Sequence, residues 1–195
     1  MFAFTSTDNS LLRLVLLTIA LLTVTSTTRA LPVQLVELDA RGGSQSKPAH
    51  CPSVNDIEAH IKQKSGGTLS NTVYWSHPGS MTQAHTLAKT LSGHYIYDYV
   101  SNEDIAAWGK LCTPAEQKAL WARASYAFAK LSSGTAYVVT TTANSDAIWT
   151  KYEFPVLKGT GLINSVLSVD PANPKKFTQL FTKNPLGNPP LPAEP

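Results

Sequence analysis

Four short stretches of this sequence carry side chains able to do chemistry: Trp75-Ser76-His77, Asp98, Trp121 with Ser125, and Glu153. A carboxylate held away from water stabilises positive charge that develops on a reacting carbon. Electron-rich indole faces attract a flat cation, at about 1 to 2 kcal/mol each. Trp121 and Ser125 stand four residues apart and so share one face of a helix. His77 and Asp98 fall at the ends of expected strands, where functional side chains of α/β folds gather. Each residue also has a plainer role. Trp75 and Trp121 suit a core, Asp98 a turn or cap, and Glu153, alternating with Tyr152 and Phe154, the solvent face of a strand.

Other chemistries lack their sequence marks. There is no G-x-x-x-x-G-K-[ST] phosphate loop, no H-E-x-x-H and no G-x-S-x-G elbow. The histidines (His50, His60, His77, His85 and His94) have no ligand-like spacing, so no metal site is expected. The 195 residues are 43% hydrophobic and 15% charged, which is enough apolar chain for one folded domain. The net charge of +3 is spread without runs, giving no electrostatic footprint for nucleic acid.

The elements that must position these residues alternate. Ser53 with Asp56 opens a helix that ends at Gly66-Gly67. Thr72 to Ser76 reads as a strand, followed by a turn and a helix to about Leu91, capped by Gly93. Tyr95 to Tyr99 is a second strand, and Ser101 with Asp104 opens a short helix through Trp108. Thr113-Pro114-Ala115-Glu116 is the strongest local signal, with Leu120, Ala124, Phe128 and Leu131 as the buried stripe behind it. Thr135 to Thr142, Lys151 to Phe154 and Leu162 to Val169 complete the strands. The order predicts an α/β fold: a small parallel sheet with flanking helices and a helical N-terminal part.

Residues 1–30 have the layout of a secretory signal peptide, with an apolar run from Leu14 to Leu22 and small residues up to Ala30. The rival reading is an uncleaved anchor, against which the run falls short of the roughly 20 residues that span a bilayer. Export leaves residues 31–50 as a flexible leader, 51–183 as one folded domain, and 184–195 as a proline-rich, extended or disordered tail. Localisation is then extracellular, without a membrane anchor in the mature form. In an oxidising compartment Cys51 and Cys112, the two cysteines of the chain, are expected to pair. Closing so long a loop is worth roughly 4 kcal/mol on a chain-entropy argument.

In order along the chain, Trp75-Ser76, Ile96-Tyr97-Asp98, Trp121-x-x-x-Ser125-x-x-Phe128-Ala129, Gly134-x-x-Tyr137-Val138-Val139 and Tyr152-Glu153-Phe154 resemble the ADP-ribosyl cyclase family of NAD glycohydrolases. The resemblance spans roughly residues 72 to 170 and is that of a distant, secreted microbial member. It implies that Glu153 is the catalytic carboxylate, that Trp75 and Trp121 line the nicotinamide pocket, and that Ser125 follows the second indole by one turn. Asp98 falls where the family has a glutamate that contacts the nicotinamide amide, here one methylene shorter. His77 stands where animal members can have arginine, and with Ser76 it joins the substrate-binding set. NAD or NADP is then substrate rather than cofactor, and the products are nicotinamide and ADP-ribose, with cyclic ADP-ribose open. Two further readings keep the scaffold: a non-catalytic secreted effector that binds a partner, and a transferase of ADP-ribose to protein.

Overall fold

The computed structural model describes residues 49–140 and 147–195. The signal peptide and leader readings up to residue 48, and the last two residues of the expected Thr135–Thr142 strand, lie outside the described residues.

Helix α1 (Val54–Ser65) starts on a reciprocal cap, Ser53 Oγ accepting from the Asp56 N–H while the Asp56 carboxylate accepts from the Ser53 N–H. Strand β1 (Leu69–Trp75) follows, then α2 (Met81–Thr90), the two-residue β2 (His94–Tyr95) and α3 (Asn102–Gly109). Helix α4 (Pro114–Leu131) has the capping box expected at Thr113 and Glu116. It feeds directly into β3 (Ser132–Val139), and α5 (Phe154–Gly159), β4 (Ile163–Asp170) and β5 (Asn173–Thr182) complete the order.

The strands form a five-stranded sheet, β2-β1-β3-β4-β5, parallel except for the antiparallel β4–β5 pair. From β1 the chain steps one way to β2, then back past β1 to β3 and on to β4. Right-handed crossovers in opposite directions put their helices on opposite faces. The core accordingly has two parts. Tyr74, Ala136, Val138 and Val166 pack under α1, α4 and α5, whereas Val73, Val139 and Val169 pack under α2. The direction of connection reverses between β1 and β3, and the crevice beyond their C-terminal ends is where such sheets bind ligands.

Several local expectations are corrected. Lys151 to Phe154 is no strand: Trp149–Glu153 is a π-helical turn that runs into α5. Its aromatic, alternating sequence mimics a strand, but the burial of Trp149 and Glu153 fixes a helical path. The second strand stops at Tyr95, because Ile96–Asp98 closes into a 3-10 turn. Strand β5 was not expected in a segment rich in proline and lysine. It lies on the sheet's edge, where such residues are tolerated and discourage further pairing.

After α2 the left-handed residue is Ser92 (φ 48°), and Gly93 N–H closes the helix end on Ala88 O at 2.8 Å. Gly93 is required for space. A Cβ there would stand 2.1 Å from the carbonyl oxygen of Asn71, which forms a bulge in β1 with φ 53°. Gly93→Ala is therefore expected to cost about 2 to 3 kcal/mol, as overpacking against backbone does. Urea denaturation should show a lower midpoint at unchanged slope; an unchanged midpoint would mean that the bulge does not press on Gly93.

Cys51 and Cys112 are joined by a disulfide, which ties the start of α1 to the start of α4. Arg123 on α4 donates to Pro52 O at 3.1 Å and, through Nε, to Pro195 O at 3.1 Å. Tyr126 Oη donates to Pro192 O at 2.9 Å, so these residues of the 184–195 segment run along α4. Among the described residues, no helix is long and apolar enough to cross a membrane.

Candidate functional site

Glu153 ends a turn that packs on α4. The π-helical turn carries it inward, and only 5% of the residue is exposed. The plainer reading, a glutamate on a solvent-facing strand, is thereby overturned. Burial pushes its carboxyl up to about 8, against the opposing effect of a side-chain hydrogen bond from Ser125. Ser125 is itself buried on α4, one turn after Trp121. Helical spacing thus links the second indole to the carboxylate through one hydroxyl.

Aromatic rings extend from this pair toward the strand ends. Trp121 meets Tyr97 at 5.1 Å between ring centroids, and Tyr97 stacks on Trp75 at 6.0 Å with planes 22° apart. Tyr95 touches both Trp75 and Tyr97, at 5.0 and 5.5 Å. Trp75 and Trp121 are half-buried, packed on the core with part of each still accessible. The structure therefore brings Trp75, Trp121, Ser125 and Glu153 to one region, with Tyr97 between the two indoles. Sequence reasoning took Tyr97 as one residue of a strand; the turn that aims it between the tryptophans depends on Asp98, whose carboxylate accepts from the Tyr95 N–H at 2.9 Å.

Asp98 itself is exposed and does the work of a cap in this structure. His77 is also exposed, and its Nδ1 accepts from the Gly79 N–H at 3.1 Å in the turn after β1. Ser76 donates its hydroxyl to Thr140 Oγ1, bridging the C-terminal ends of β1 and β3. These two hydroxyls mark the reversal point of the sheet. Beneath them Tyr74 is fully buried, its hydroxyl 2.6 Å from Ser132 Oγ, and burial pushes its phenol far above the ordinary range. The nearby Glu153 charge acts in the same direction. Among the described residues, no group of three or more histidines, cysteines or acids is placed to hold a metal ion.

No protein-family model matches this sequence, and no curated protein matches it. Among solved structures, the chain is similar to an ADP ribosyl cyclase complexed with N1-cIDPR, with a TM-score of 0.39 and 17% identity. The likeness covers 51% of this chain and 49% of that one, so the chain spans about half the length of that neighbour.

Proposed function

We propose that the protein is an exported NAD glycohydrolase that cleaves the bond between nicotinamide and ribose, giving nicotinamide and ADP-ribose. The observation that carries this reading is Glu153, buried with a raised pKa and bonded by Ser125, a residue one helical turn from Trp121. When the bond from the ribose anomeric carbon to the pyridinium nitrogen breaks, its electron pair enters the ring. Nicotinamide leaves neutral and needs no general acid. Positive charge moves to the ribose, where ionised Glu153 stabilises it. Water then adds to that carbon and gives up a proton, completing ADP-ribose.

The aromatic row suits the other half of the task. Indole faces of Trp75 and Trp121 hold a cationic ring more tightly than the neutral product, so they favour entry of substrate and escape of nicotinamide. A docked pyridinium also supplies positive charge beside Glu153, which lowers the carboxyl's pKa and helps it ionise. Ser76 and His77, at the strand end, are assigned to the diphosphate or the ribose, and Asp98 to the nicotinamide amide through Oδ1, while Oδ2 keeps the cap on the Tyr95 N–H. The disulfide fits an oxidising compartment, and export would spare the producer's own NAD.

The test is to incubate the purified, disulfide-bonded protein with NAD and with NADP and to separate the products by chromatography. Nicotinamide released in step with ADP-ribose is the expected result; a cyclic product in its place would move the reaction to cyclisation at the same carbon. A folded protein that turns over neither dinucleotide would overturn the reading.

A further inference from the structure

Across the sheet from Glu153 there is a cavity. It lies between α2 and the C-terminal ends of β3 and β4, with a volume of about 400 Å³. That is within the range of roughly 300 to 1,000 Å³ common for small-molecule pockets. Leu87, Val139 and Val169 belong to the core cluster under α2 and form its floor. The wall on α2 is less polar than its sequence. Thr86 Oγ1 is spent on Thr82 O at 3.0 Å, and Thr90 Oγ1 on Thr86 O at 2.9 Å, so neither hydroxyl needs a ligand partner. Pro171 and Pro174 add rigid apolar surface on the opposite side.

Polar groups are few and sit at the mouth. Gln83 brings an amide able to donate and accept. Asp170, at the end of β4, uses Oδ1 to accept from the Ala172 N–H at 2.9 Å and brings a second oxygen able to accept from a diol. Lys175 brings a cation. An apolar slot with an amide, a carboxylate and an ammonium at its rim matches a flat heteroaromatic base carrying ribose and phosphate.

We propose that this cavity is a purine-nucleotide subsite, and that it holds the adenosine end of the dinucleotide whose nicotinamide end lies at Glu153. The inference rests on the NAD-cleaving reading. Glu153 and the cavity are on opposite faces of the sheet, and a ligand touching both must cross its C-terminal edge. It crosses where the connections reverse between β1 and β3, beside Ser76 and Thr140. The base stacks between the α2 wall and the Val139–Val169 floor, Asp170 takes the ribose hydroxyls, and Lys175 pairs with the phosphate.

The experiment measures AMP binding by calorimetry to the purified protein and to Thr86→Trp and Lys175→Ala, with NAD turnover followed in parallel. Thr86 is exposed on α2, so an indole there fills the cavity without entering the core. Thr86→Trp should weaken AMP at least tenfold and raise the KM for NAD by a similar factor. Lys175→Ala should weaken AMP severalfold more than it weakens adenosine. Equal AMP affinity in all three proteins, or no AMP binding by a protein that cleaves NAD, overturns the subsite and spares the proposed activity. AMP binding lost in Thr86→Trp, in a protein that cleaves no dinucleotide, supports the cavity as a nucleotide site and overturns the activity. Neither binding nor cleavage overturns both.

Discussion

Glu153→Gln should lower turnover of NAD by at least about a thousandfold while changing the KM only severalfold. The amide has the size and shape of the carboxyl, and its oxygen can still accept from Ser125, the partner seen for the glutamate. What it cannot do is carry charge. A unit pair at about 4 Å is worth roughly 4 kcal/mol at an effective dielectric near 20, and that corresponds to about three orders of magnitude in rate. The loss belongs to the transition state, because the ground-state pyridinium is held mainly by Trp75 and Trp121. Initial-rate kinetics separate the two: kcat should collapse and KM should not. A variant that keeps a tenth of wild-type kcat would remove Glu153 from the chemistry and leave its burial without a catalytic purpose.

Local rules explain why much of the scaffold could be read in advance. Ser53 with Asp56, Ser101 with Asp104, and Thr113 with Glu116 each predict a helix start, and all three form reciprocal caps. A cap depends on residues three apart, so it is written in the sequence itself. The parallel pairing of β1 to β4 followed from alternation, since a parallel pair needs a helical crossover. The errors have the opposite character. The π-helical turn at Trp149–Glu153 is decided by what those side chains bury against, Tyr74 and Phe154 ringing Trp149 at 5.5 and 5.3 Å. Strand β5 exists because β4 offers an edge to pair with, and no propensity of its own residues announces it.

The site was legible in the same uneven way. Trp121 and Ser125 shared a face by arithmetic, and Trp75 with Ser76 ended a strand by composition. That Tyr97 completes the row between the indoles needed the 3-10 turn after Tyr95, which the alternating Tyr95-Ile96-Tyr97 sequence disguised as more strand. Asp98 shows how one residue can serve the plainer role and still shape the site: by closing that turn it aims the neighbouring ring.

Activity and stability should respond to pH in opposite directions, with Glu153 as the common cause. Its carboxyl is pushed up to about 8 in the folded chain, against an ordinary value of about 4.3 when unfolded. Below the lower value both states hold the proton and the group contributes no difference. Between the two values the unfolded chain gives up its proton while the folded chain keeps it. Unfolding therefore releases a proton, and stability declines as pH rises, by up to about 1.4 kcal/mol per unit from this group. The accumulated loss, on the order of 5 kcal/mol, is complete above about 8. Glu153→Gln has no such proton to lose, so its stability advantage over wild type should grow from near zero at pH 4 to its full size by pH 9. Urea titrations of both proteins across that range read the difference directly. In the wild type, kcat/KM for NAD should meanwhile rise with pH toward a plateau above about 8, because it reports ionisation in the free enzyme. The limb in kcat should lie lower, since the bound pyridinium favours the carboxylate. Parallel stability curves for the two proteins would show that burial does not raise this carboxyl, and a kcat/KM limb near 4 would give the same answer from the active site.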